Sequence, residues 1–362
     1  MIPLVKPFIP SRDKLMPRLE SILYSGYIAE GEAVAKFEQT LSELIGNPYC
    51  VTVNSGTAAL HLALKLIGVG TGDEVISTAL TAEPTNTTIA WTGAKVVFAD
   101  IDLGTGLLLP ESIEKCITEK TKAIMVVHYA GMVCDMNRIN AISQKYDLPV
   151  IEDAAHAFMS KFRGKYIGNI SKYTCFSFQA IKHITTVDGG LLCLKSEEEY
   201  NRAKKLRWFG LDKKLPRLEG NILEAGFKYH MNNVMATIGL VQLENIEENV
   251  MRYIDNGKFY DEHLKNIPGV TLIRYYEETE PSYWLYTIKV DRREDFIKMM
   301  SESDVLASPL HLRNDRHSLF KAPKGKTPNL DAFYESYVHI PCGWWVSDED
   351  RERIVNLIKK GW

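Results

Sequence analysis

Val150-Ile151-Glu152-Asp153-Ala154-Ala155-His156-Ala157 opens as a short apolar run and closes on two acids followed by small residues. Runs of this kind read as strands covered on both faces, because there is no alternation that would leave one face to water. The pattern recurs at Cys50-Val51-Thr52-Val53, Glu74-Val75-Ile76-Ser77, Val96-Val97-Phe98 and Ala123-Ile124-Met125-Val126-Val127, with helical spacing at Thr57 to Ile67 and Met136 to Tyr146 between them. Strands alternating with helices from about Val51 to Cys193 predict an α/β fold, with a mostly parallel central sheet and helices on both faces. After the polar stretch Lys213-Lys214-Leu215-Pro216-Arg217 comes a helical pattern from Val234 through Arg252. The remainder mixes the strand-like run Trp284-Leu285-Tyr286-Thr287-Ile288-Lys289-Val290 with helices such as Asp348 to Lys360. We read residues 1–250 as a large domain that includes the N-terminal segment, and 251–362 as a smaller C-terminal α+β domain.

Composition narrows the function classes. The chain has 362 residues, 45% hydrophobic and 25% charged, with a formal charge of -3 spread along its length. That is ordinary globular usage and provides no basic block for nucleic acid or an anionic membrane. No apolar run is long enough to span a bilayer, so the expected location is cytoplasmic. The six cysteines form no CxxC pair and no metal-like cluster, and they read as reduced, buried thiols.

Chemistry concentrates in three places. In Asn54-Ser55-Gly56-Thr57-Ala58-Ala59-Leu60 a strand gives way to a helix through small residues. A helix N-terminus has unpaired amides and the positive dipole end, so small residues there let a phosphate approach the backbone; plain capping explains the same residues. The nearby Gly68-Val69-Gly70-Thr71-Gly72 follows a helix and precedes a strand, the wrong order for a dinucleotide fingerprint, and reads as a helix stop and turn. Asp153 ends a strand at its carboxyl edge, where open α/β sheets bind ligands, though an acid there also suits an N-cap. Lys182, in Ser177-Phe178-Gln179-Ala180-Ile181-Lys182-His183-Ile184, lies among apolar and hydroxyl neighbours. Desolvation would lower its pKa and leave a usable amine; a buried stem with a solvated head is the alternative. His183 beside it reads as a structural histidine or a substrate contact. Together the three suit pyridoxal phosphate, whose phosphate needs a helix N-terminus and hydroxyls, whose ring nitrogen needs a carboxylate, and whose aldehyde needs a lysine.

The ordered set Ser55-Gly56-Thr57-Ala58-Ala59-Leu60, Glu152-Asp153-Ala154-Ala155-His156-Ala157 and Ser177-Phe178-Gln179-Ala180-Ile181-Lys182, followed by Thr185-Thr186-Val187-Asp188-Gly189-Gly190, resembles the DegT/DnrJ/EryC1/StrS family of nucleotide-sugar aminotransferases. The similarity runs nearly end to end, through Ser25-Gly26-Tyr27-Ile28-Ala29-Glu30-Gly31 and Gly226-Phe227-Lys228-Tyr229-His230-Met231-Asn232-Asn233. It implies a type I pyridoxal-phosphate transferase fold, a homodimer with active sites at the interface, and glutamate as amino donor, the cofactor cycling through its pyridoxamine form. Position by position it implies that Lys182 takes the cofactor aldehyde and serves as general base, Asp153 pairs with the ring nitrogen, and His156 lies close to the ring. Gly56, Thr57, Ser177 and Gln179 would hold the phosphate.

Three positions depart from the family pattern. Ala82 stands where relatives place an aromatic residue over the ring, which leaves His156 or Glu83 to compensate. Lys228 stands where an asparagine often reaches the phosphate from the neighbouring subunit, and Val187 where glycine is common. Candidate substrate contacts are Glu83, His183, Trp208, His311, Arg313 and His317; the pair Trp344-Trp345 reads as packing of the small domain or as a further contact. The segment Ile184 to Gly190 looks more like the group that aminates sugar position 4 than position 3, and the nucleotide stays open among GDP, UDP and dTDP. Two rivals stand beside this reading: a sugar dehydratase of the same fold with His183 in the lysine's place, and a catalytically silent regulatory protein.

Overall fold

Consecutive branched apolar residues cannot all face one side of a strand, so they form stable strands only where cover exists on both sides. Ile124, Met125 and Val126 are fully buried, as are Val51, Val53, Ile151 and Leu192. The computed structural model describes residues 1–320 and 326–362. Its central sheet runs, edge to edge, Cys50–Val53, Gly190–Leu194, Tyr173–Ser177, Val150–Asp153, Thr121–Val127, Glu74–Ser77 and Lys95–Phe98. Gly190–Leu194 pairs antiparallel with both neighbours and the other pairings are parallel, which is the predicted mostly parallel sheet.

Alternation along each strand divides the core in two. Val53, Met125, Ile151, Cys175 and Leu192 pack on one face. Ile124, Val126, Val150, Phe176 and Leu191 pack on the other. The helix Gly56–Ile67 lies on the first face, against Tyr173–Ser177 and Gly190–Leu194. It stops at Gly68, whose φ of 81° is the left-handed helix cap, so the glycine-rich stretch is the stop and turn that its order implied.

The second unit carries an antiparallel sheet of Val270–Leu272, Tyr286–Val290 and Tyr337–Ile340. The helix Ile246–His263 runs straight through position 250, so no linker separates the two units at that point. The first residues dock on the C-terminal unit, while the Phe8 carbonyl accepts from Gln242 Nε2 at 2.6 Å and the helix Arg12–Leu23 packs on the helix Asn233–Leu243 of the large one. Ile2 donates to Asp304 and its carbonyl accepts from Leu306 (2.7 and 3.0 Å), while the indoles of Trp345 and Trp344 donate to the carbonyls of Pro3 and Lys6 (2.9 and 3.2 Å). The tryptophan pair therefore packs the small unit and fastens the chain start to it. All six cysteines are free, five of them buried, and among the described residues no helix is long and apolar enough to cross a membrane.

The period-two rule also sorts the two acids that end Val150–Asp153. Glu152 shares the Val150 face and is fully buried. Its carboxylate accepts from His128 Nε2 at 2.7 Å, Ser171 N at 2.7 Å and Thr174 Oγ1 at 3.1 Å. His128 Nδ1 accepts the Cys134 amide at 3.2 Å, which puts the ring proton on Nε2, facing Glu152. Burial pushes the Glu152 carboxyl up, but these donors outweigh it and hold the carboxyl below the usual range. Glu152→Ala leaves three buried donors unmatched, and each orphan costs about 1–3 kcal/mol. We expect a loss of roughly 3 kcal/mol or more in urea unfolding, with Glu152→Gln retaining part of it.

Candidate active site

At the carboxyl ends of the central strands lies a cavity of about 280 Å³, bordered by Gly56, Thr57, Thr85, Asp153, Lys182 and Trp284. Its first wall is the start of the helix Gly56–Ile67. Ser55 caps that helix by accepting Ala58 N at 3.0 Å, so capping and a backbone approach occur at the same turn. A Cβ on residue 56 would sit 2.7 Å from Ser177 Cβ, and one on residue 190 would sit 2.6 Å from the Ser55 carbonyl. Glycine at these two positions lets the helix start abut the strand ends, which brings Thr57, Ser177 and Gln179 to one rim.

Opposite that rim, Asp153 is buried. Thr85 Oγ1 donates to its Oδ2 at 2.7 Å, Thr81 and Thr85 hydroxyls lie 2.7 Å apart, and Ala155 N donates to Oδ1 at 3.1 Å. Burial raises the Asp153 pKa; the Thr85 hydroxyl, the Ala155 amide and the Lys182 charge pull the other way.

Lys182 is partly exposed as a residue, but its amine lies 3.9 Å from the ring centroid of Trp284, which is 1% exposed. Burial pushes the amine down to about 7, against the pull of Asp153. His156 stacks on the same indole, with ring centroids 3.9 Å apart and planes at 20°. Its Nδ1 accepts Ala130 N at 3.3 Å, and burial keeps the ring neutral by pushing its pKa well below the usual value. His311 borders the cavity with its ring parallel to His156 (centroids 6.2 Å, planes 5°), and burial holds it neutral with a pKa of about 4.

This donor set fits pyridoxal phosphate: a poorly solvated amine, a buried carboxylate with a hydroxyl fixing its orientation, and amides with hydroxyls at a helix start. The volume lies just below the range for ligand pockets, roughly 300–1,000 Å³, which suits one ring and one phosphate. Among the described residues no group of acids, histidines and cysteines is arranged to hold a metal.

Several expected contacts are placed elsewhere. His183 is buried outside the cavity, its Nε2 3.1 Å from the Ser282 carbonyl and its ring against Tyr253 at 4.6 Å, so it serves packing and not the lysine's role. Arg313 is buried and committed: it donates to Asp315 at 2.7 Å and to Asp331 and Thr327 at the start of the helix Pro328–Ser336. Trp208 packs edge-on against His230 at 4.2 Å with Lys213 over its ring. His317 stands 4.0 Å from Glu83, which borders the cavity. Lys228 borders a separate apolar groove with Ile28, Val187, Met235 and Ile238, so within one chain it does not reach this cavity. Val187 has a φ of 74°, so the loop keeps the left-handed turn that glycine takes without strain.

Two residues were not anticipated. Thr85 sits in the first turn of the helix Glu83–Trp91 behind Pro84, within reach of Thr81 just before the cap, but nothing local marks Asp153 as its partner. Trp284 reads in sequence as part of a strand run, and only the tertiary fold brings it under the lysine.

The family model described as DegT/DnrJ/EryC1/StrS aminotransferase family matches residues 11–359. The spore coat polysaccharide biosynthesis protein SpsC of Bacillus subtilis is 33% identical over 355 residues, 93% of this chain and 91% of its own length. The sugar aminotransferase CalS13 of Micromonospora echinospora superposes with a TM-score of 0.96 at 35% identity, covering 100% of both chains. Spr1654 of Streptococcus pneumoniae, solved in PLP and PMP forms, is 29% identical with a TM-score of 0.92, its PLP form covering 99% of this chain and 98% of its own.

Thr85→Val removes a hydrogen bond to a charged carboxylate, worth about 1.5–3 kcal/mol. Titration of the cofactor-free protein with pyridoxal phosphate should show affinity weakened roughly 10- to 100-fold, at 1.4 kcal/mol per decade.

Proposed function

The chain belongs to the DegT/DnrJ/EryC1/StrS aminotransferase family, and on that premise we propose that it moves an amino group from glutamate to a nucleotide-linked keto-deoxysugar, using pyridoxal phosphate held between Lys182 and Asp153. The observation that carries this reading is the meeting, in one cavity, of a lysine amine with a pKa near 7, a buried aspartate and a hydroxyl-lined helix start. When bound, the cofactor supplies an aldehyde that takes up amines and a ring that accepts the electrons released at the substrate carbon.

The chain's own residues do the rest. Asp153, oriented by Thr85, holds a proton on the ring nitrogen and so keeps the ring electron-poor. Gly56, Thr57, Ser177 and Gln179 take the phosphate, with Lys228 of a second copy adding its charge. His156, which stacks on Trp284, would pack against the cofactor ring and take the part left open by Ala82. Lys182 carries the proton away from and back to the substrate carbon, which requires its unprotonated form. Glu83 and His311 border the cavity and are the side chains that would meet the sugar.

Amination at sugar position 4 is favoured over position 3 by the segment Ile184 to Gly190. The name of the relative SpsC supports a place in polysaccharide or glycoconjugate assembly. The working unit is a homodimer in the cytoplasm, its partners small molecules rather than nucleic acid or membrane.

Lys182→Ala should lower transamination by at least about 10²–10⁴-fold while leaving the folded dimer intact by scattering and circular dichroism. In the cofactor-free parent, capture of pyridoxal phosphate by Lys182 should slow as pH falls through about 7, because the depressed amine pKa means that protonation of the free amine sets in there. Product masses from a panel of nucleotide-linked 4-keto and 3-keto sugars test the substrate directly: amination confined to 3-keto sugars would reverse the positional assignment.

A further inference from the structure

Trp284 touches the site in three ways that a core-filling residue has no need of. Its indole Nε1 donates to the Ile181 carbonyl at 2.8 Å, pinning the peptide from which Lys182 departs. Its ring lies 3.9 Å from the Lys182 amine, at the other end of the same side chain. The same ring stacks on His156 at 3.9 Å. One residue thus holds the lysine at root and tip and sets the histidine beside it.

Trp284 is itself held rigidly. It is 1% exposed, and the segment around it is clamped to the turn at Tyr129–Gly131. Ser282 N donates to the Ser160 hydroxyl at 3.0 Å and to the Gly131 carbonyl at 3.3 Å, and Leu285 N donates to the Ala130 carbonyl at 3.4 Å. A Cβ on residue 131 would come within 2.8 Å of Trp284 N, so glycine there admits the close approach. The indole enters from the small unit, just before the strand Tyr286–Val290, while Lys182 and His156 belong to the large one.

We infer that Trp284 is a positioning residue for this reaction: its indole fixes the lysine amine and the His156 ring relative to one another, and with its bulk keeps water from the amine. The inference rests on Lys182 being the cofactor lysine. Cation–π attraction and apolar cover act in opposite directions on the amine, the first favouring charge and the second opposing it. On Lys182 burial outweighs the pull of Asp153, and the buried indole 3.9 Å from the amine is part of that cover. The other groups around the amine are Asp153 from the central sheet, His156 and His183 from the loops beside it, and His311, Glu83 and Asp188 around the cavity. The three histidines are held neutral by burial, so Asp153 is the charge that faces the amine most directly.

The experiment has two arms on the full-length protein. In the first, pyridoxal phosphate is trapped on the parent by borohydride and the label is mapped to a residue. In the second, the cofactor is removed and acetylation of Lys182 by trace acetic anhydride is followed by mass spectrometry across pH. Trp284→Ala admits water beside the amine and should raise the reactivity midpoint by about one pH unit or more. Trp284→Leu, which keeps apolar bulk in case the alanine variant does not fold, should move it the same way by roughly half a unit. Trp284→Phe keeps an aromatic face and should stay close to the parent. Label on Lys182 with midpoints unmoved in folded alanine and leucine variants would overturn the positioning role and leave the cofactor assignment standing. Label on another residue would remove both.

Discussion

A carboxylate withdrawn from water at the end of a central strand survives only if hydrogen-bond donors or a compensating charge are arranged around it. Asp153 meets this condition with one hydroxyl, one amide and the distant pull of an amine, and burial still raises its pKa. An acid left in that state can still gain from a positive partner, and a protonated ring nitrogen is such a partner. The helix Glu83–Trp91 supplies Thr85, the central sheet supplies the rigid strand end, and the lysine approaches from the turn after Tyr173–Ser177. The site is therefore a property of how the sheet edge is assembled rather than of any one loop.

The neighbour of Asp153 shows the same condition met to completion. Glu152 points to the other face of the strand, accepts from His128, Ser171 and Thr174, and is buried away from the cavity. Two adjacent acids thus divide between framework and chemistry according to the two-residue period of a strand. Trp284 plays a corresponding part on the lysine side. Its packing lowers the solvation of the amine, and its N–H and stacking fix where the amine and His156 stand.

What could be read from the sequence was whatever local pattern encodes. The apolar runs predicted the parallel sheet because burial on both faces leaves a compositional mark, and the glycine turn at Gly68 followed from its order after a helix. Ser55 to Thr57, Asp153 and Lys182 stood out because each breaks the composition around it. Thr85 and Trp284 did not, since a threonine in a helix and a tryptophan in a strand are ordinary until the fold brings them to a partner 68 or 103 positions away. Arg313 looked available because sequence does not show that Asp315 and Asp331 already hold it, while His183 took the structural one of its two readings, beside the Ser282 carbonyl. Position 250 read as a boundary because the helical pattern from Val234 ends near Arg252, yet the helix Ile246–His263 runs on past it.

The protonation state of the cofactor's ring nitrogen is the most direct probe of all this, and nitrogen NMR of the protein reconstituted with ¹⁵N-labelled pyridoxal phosphate reports it. A buried, hydroxyl-oriented Asp153 demands a chemical shift in the protonated range at neutral pH. A shift in the unprotonated range for the folded parent protein would contradict the account.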